Sequence, residues 1–143
     1  MKKFIFFIVS FLLCSTLAYS NHHFPITRDN KEAVALGQKL YNQNCASCHQ
    51  ANLAGQKDWK TKLDSDGQRL APPLNGTGHT WHHPDAMLHE VIKYGYANII
   101  KNYKGKMMGF ANVLNDKDID HILTYVKSFW DDDVYRHQIN ISK

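Results

Sequence analysis

What the chain lacks narrows it first. Nowhere do apolar and polar residues alternate as they would along a half-buried strand, so a sheet-based fold is not expected. No stripe of lysine and arginine could follow a phosphate backbone, which excludes a nucleic-acid footprint. No phosphate-cradling loop, nucleophile or catalytic base stands out, so nothing predicts an enzyme. Cysteine is scarce, with Cys14, Cys45 and Cys48 the only three. A four-ligand zinc centre built on the last two would find no further cysteine beyond residue 20.

The one long apolar run is at the start. Lys2 and Lys3 precede "FIFFIVSFLL" (Phe4 to Leu13), and "AYS" (Ala18 to Ser20) offers small residues for cleavage. This pattern predicts a secretory signal peptide over residues 1–20 and a bacterial periplasmic or secreted protein. The stretch is too short and too often broken by Ser10, Ser15 and Thr16 for a bilayer span of roughly 20 apolar residues. Leu13 is too large to precede a lipidated Cys14. Cleavage after Ser20 takes the formal charge from +4 to +2, and no stable membrane span is expected thereafter. It would also expose Asn-His-His (Asn21 to His23), which reads first as an ordinary terminus and second as an imidazole, amine and backbone-nitrogen set suited to Cu(II) or Ni(II).

Helical periods carry the rest. Ala33, Leu36, Leu40 and Tyr41 share one face after a cap at Asp29 or Asn30, with Gly37 marking close approach by another element. A second helix begins near Pro84 and Asp85, buries Met87, Leu88, Val91 and Ile92, and stops at Gly95. In a third, Asn115 is the cap, and Ile119, Ile122, Leu123, Val126 and Trp130 form the stripe. Residues 50–80 show no period and are rich in Gly, Pro, Asn and Asp. The expected layout is an N-terminal extension at 21–30, an all-α domain over 31–130 and a polar tail at 131–143. Three short helices bury little surface, and a long ordered loop needs something to pack on.

"CASCH" (Cys45 to His49) supplies that object. A Cys45–Cys48 disulfide would close only a tiny loop, and a thioredoxin-type pair belongs near a βαβ pattern that is absent. C-x-x-C-H is the attachment signature of c-type haem. Thiols one turn apart can each bond one haem vinyl group, and the next residue, His49, is delivered to the iron. One covalent haem c, held through Cys45 and Cys48, is therefore expected.

With "LYNQNCASCHQ", "APPLNG", "MMGF" and "YVKSFW" in this order, residues 31–130 resemble the mono-haem class I cytochromes c. The resemblance implies the cytochrome c fold, with Gly37 and Tyr41 packed against Tyr125 or Phe129 where two helices cross. It implies a monomeric one-electron carrier with donor and acceptor proteins as partners. The usual Met-Pro-x-Phe segment, aligned on Phe110, makes Met107 the second axial ligand beside His49 and sets Met108 in proline's place. A weakened methionine bond would instead suit a peroxidase-like or gas-sensing protein.

His79, His82, His83 and His89 crowd into eleven residues. They read as polar loop and helix-start residues, or, following related cytochromes, as groups beside the haem propionates together with Trp81 or Trp59. Lys101, Lys104 and Lys106 read either as a solvated loop or as an electrostatic guide for an acidic redox partner. Asn75 and Asn140 match the glycosylation pattern only weakly.

Overall fold

The computed structural model describes residues 26–143. The leader, Cys14 and the Asn21–His23 terminus lie outside the described residues. Among the described residues there is no strand, only isolated bridges pairing Leu63 with Arg69 and Arg69 with Gly105. No helix among them is long and apolar enough to cross a membrane.

Helix α1 (Lys31–Asn44) starts where the Asn30 side chain accepts the Ala33 N–H at 3.0 Å. Helix α2 (Ala46–His49) follows after the single residue Cys45. The chain then runs without regular structure to a 3₁₀ turn at Thr80–His82, the ordered loop expected from its composition. Helix α3 (Asp85–Tyr94) ends at Gly95, whose φ of 79° suits a residue without Cβ. A short helix, α4 (Tyr96–Ile99), continues from it. Helix α5 (Asp116–Lys127) opens with a reciprocal box in which Asn115 and Asp118 each accept the other's backbone N–H.

The three expected helices are α1, α3 and α5. The fold is all-α, and the expected stripe is its core: Ile119, Ile122, Leu123, Val126 and Trp130 are each at most 3 % exposed. Burying each such side chain contributes roughly 1.5–3 kcal/mol.

Gly37 is where α1 touches α5. A Cβ there would stand 2.0 Å from the His121 carbonyl oxygen and 2.8 Å from Tyr125 Cβ. Only a bare Cα lets the two backbones meet. One turn on, the rings of Tyr41 and Tyr125 pack at 5.4 Å, and Tyr125 meets Phe129 edge-on at 5.1 Å.

The segment expected as a polar tail is instead helix α6 (Asp132–Ile141), capped by Asp131 accepting the Val134 N–H at 2.8 Å. Its Val134 and Tyr135 are partly buried against the core. The helix escaped sequence reading because its fully buried anchor is polar. Gln138 Nε2 donates to Asp85 Oδ1 at 2.6 Å, and its side chain has no exposure. Asp85 also takes Lys127, a fully buried ammonium on α5, at 2.7 Å, while Lys127 donates to the Ile26 carbonyl at 2.9 Å. One buried cluster thus joins α3, α5, α6 and the first described residue.

Candidate functional site

The turn from α1 into α2 aims the motif. Cys45 N–H still donates to the Tyr41 carbonyl at 2.8 Å, so the first cysteine closes α1 and opens α2. Cys48 is exposed and Cys45 half-buried, and no disulfide joins them. Burial, and then the neighbouring Cys48, push the Cys45 thiol up to about 12. A protonated thiol is a poor nucleophile, so Cys45 is not itself poised to attack.

His49 is 8 % exposed. Its Nδ1 lies 2.9 Å from the Pro72 carbonyl oxygen, an acceptor, so Nδ1 carries the hydrogen. Nε2 is then the ring's lone-pair nitrogen. Desolvation pulls the imidazole below the ordinary histidine range, outweighing the Pro72 bond that raises it. A neutral ring, oriented through one nitrogen and able to coordinate through the other, is what a histidine ligand requires.

The loop that brings Pro72 over His49 depends on close backbone contact. Leu74 N–H donates to Leu53 at 2.8 Å, and Gly55 N–H to His49 at 3.0 Å. A Cβ at Gly55 would meet Pro72 and Pro73 at 2.5 Å, and its φ is 68°. Trp130 Nε1 donates to Leu74 at 2.8 Å and pins the far side of this loop to the end of α5. The thiols, the neutral imidazole and its carbonyl partner fit covalent attachment and ligation of a c-type haem.

Met107 and Met108 behave differently. Met107 is half-buried, while Met108 is 68 % exposed. Adjacent side chains on extended backbone point opposite ways.

The lysine trio divides. Lys101 and Lys104 join Lys60, Lys62 and Arg69 around a cavity of about 540 Å³, also lined by Trp59, Leu63, Ile100 and Tyr103. Lys106 is instead held by Asp64 and Asp66 at 2.7 and 2.6 Å.

The histidines divide too. Trp59 stacks on His79 at 5.7 Å, and His79 meets His83 edge-on at 5.7 Å. Trp81 packs against His82 at 3.8 Å and against His137 of α6 at 5.3 Å. Sequence reasoning missed His137, which only folding brings to this cluster. The Trp81 N–H, one of the two indoles considered for a propionate, donates to the Gly78 carbonyl at 3.1 Å. His89 belongs elsewhere: it is buried, 3.7 Å from carboxylates of both Asp116 and Asp120. Asn75 holds a local turn by accepting the Thr77 N–H and hydroxyl.

An all-α fold whose long loops pack over a C-x-x-C-H turn is the arrangement expected of a c-type haem protein. The family model described as Cytochrome c matches residues 34–130, and the chain belongs to that family. It is also 28 % identical over 97 residues to the cbb3-type cytochrome c oxidase subunit FixP of Azorhizobium caulinodans. That alignment covers 67 % of this chain and 29 % of FixP, so the chain spans under a third of its relative's length. Haem-based electron transfer is the chemistry this membership carries, with haem c as cofactor.

Proposed function

We propose that the protein is a one-electron carrier with a single haem c, bonded through Cys45 and Cys48 and ligated axially by His49 and Met107. The carrying observation is the His49–Pro72 bond, which fixes tautomer and ring plane on a buried imidazole. The iron, when bound, supplies the change of oxidation state. Everything else belongs to the chain. The two thiols secure the group, and His49 presents a neutral nitrogen from one side. Met107 offers a soft sulfur, which favours the ferrous state and raises the potential. With His49 and Met107 both holding the iron, little would rearrange on electron transfer and no position would be left open to substrate.

Residues 1–20 act as an export leader on this reading, and the mature protein works in the periplasm or outside the cell as a monomer. The basic rim of Lys60, Lys62, Arg69, Lys101 and Lys104 suits an acidic donor or acceptor. The likeness to an oxidase subunit supports work beside, or within, a larger redox enzyme.

Redox-titrated visible spectra of the mature holoprotein test this reading. One single-electron wave is expected, with the ferric band toward the red that marks methionine on iron. Two waves, or absence of that band, would refute it.

A further inference from the structure

Proline is missing from the segment that carries Met107, yet the backbone on both sides of it is held. On the C-terminal side, Phe110 and Ala111 N–H groups donate to the Ile92 and Lys93 carbonyls at 3.0 Å each, closing the end of α3. Two glycines permit that contact. A Cβ on Gly95 would stand 2.7 Å from Gly109 N and 2.8 Å from Met107 O. One on Gly109 would meet the Tyr94 carbonyl carbon at 2.5 Å.

The N-terminal side is held ionically. Lys106 Nζ lies 2.7 Å from Asp64 Oδ2 and 2.6 Å from Asp66 Oδ2, some forty residues back along the chain. Asp64 is itself set in place, its Oδ1 accepting the Asp66 and Gln68 N–H groups at 2.9 and 2.8 Å. The Arg69 N–H donates to Lys104 at 3.2 Å and aligns the two segments. A proline would restrict this loop through its own ring. Here the restriction comes from a distant turn.

We propose that Lys106, gripped by Asp64 and Asp66, is a positioning residue that keeps Met107 on the iron in place of the missing proline. The proposal rests on Met107 being the ligand. Lys106 and Met107 are neighbours, their Cα atoms about 3.8 Å apart. Met107 therefore cannot swing far outward while the ammonium stays between its carboxylates. Lys106 and Asp66 are more than half exposed, so the grip is modest and weakened by salt. Its effect falls on how long the methionine stays bound, and hardly on global stability.

Imidazole added to the ferric holoprotein displaces the methionine, and at saturating imidazole the rate reports its departure. Followed through loss of the red band, the wild-type rate should rise with ionic strength. Lys106→Met should be roughly threefold to tenfold faster at low salt and insensitive to salt. The double variant Asp64→Asn, Asp66→Asn should match it. Lys106→Arg should retain the wild-type rate, as should Lys39→Met on the exposed face of α1, and urea midpoints should stay together. Wild-type kinetics in Lys106→Met, or equal acceleration in Lys39→Met, overturns the proposal alone. A red band that survives Met107→Ala overturns the ligand assignment and the proposal with it.

Discussion

Alanine at Gly37 would set a methyl carbon 2.0 Å from the His121 carbonyl oxygen and 2.7 Å from its carbon. An ordinary contact begins near 3.4 Å, so α1 and α5 must part by more than 1 Å. The obstacle is backbone, and no rotamer relieves it. Radial gaps of about 0.5–1 Å already forfeit a quarter to a half of the contact energy between facing atoms. The faces being parted hold Tyr41, Ile122 and Tyr125, at 0, 1 and 5 % exposure. Overpacking typically costs about 1–3 kcal/mol, and a rigid obstacle puts this site at or slightly above the upper end. Alanine's better helix propensity returns about 1 kcal/mol. Strain wins, by about 2–3 kcal/mol. With a urea slope of about 1–3 kcal/mol per molar, the midpoint should fall by about 0.7–3 M. Far-UV circular dichroism of the holoprotein in urea measures it. A useful contrast is Gly67→Ala, where nothing lies within 4 Å and only the φ of 72° opposes the change. That variant should lose only about 1–2 kcal/mol. An unchanged or raised midpoint in Gly37→Ala would refute the close-contact argument.

Met107→Ala should remove the red methionine–iron band and lower the potential, whereas Met108→Ala should leave both; the reverse would move the ligand by one residue. Lys127→Met strands Asp85 beside Gln138 and should cost about 3 kcal/mol, the low end for a broken buried pair because Asp85 keeps 20 % exposure; a loss under about 1 kcal/mol in urea would show the pair to be dispensable. Burial, and then neighbouring histidines, hold His79 and His83 below the ordinary histidine pKa. The unfolded chain therefore binds protons first as pH falls through about 6.5, so stability is full above that value and declines below it. The paired change His79→Gln, His83→Gln should flatten that decline, and an unaltered pH profile would count against it. Lys101→Gln with Lys104→Gln should slow electron transfer to an acidic partner at low salt and not at high salt; equal rates at low salt would remove the steering role.

Features written in neighbouring residues were legible before folding. Asn30 and the Asn115–Asp118 box act within one turn, and the stripe from Ile119 to Trp130 repeats at the helical period. The attachment motif is equally local, five residues whose spacing is their chemistry. Gly37 was legible as a point of close approach, and the resemblance supplied what approaches.

Long-range polar pairing was not legible. Lys127, Asp85 and Gln138 look like ordinary surface residues, and each is tolerable inside only because the others arrive from 42 and 53 positions away. Helix α6 went unseen for that reason, since its hold on the core runs through an amide and not an apolar stripe. Lys106 read as part of a steering patch until folding set Asp64 and Asp66 against it. The tautomer of His49 likewise waits on a carbonyl 23 residues further along. Periodicity determined which residues must leave water. Where each buried charge, amide and imidazole finds its partner was decided only by the tertiary structure, because those partners are distant in sequence and carry no period.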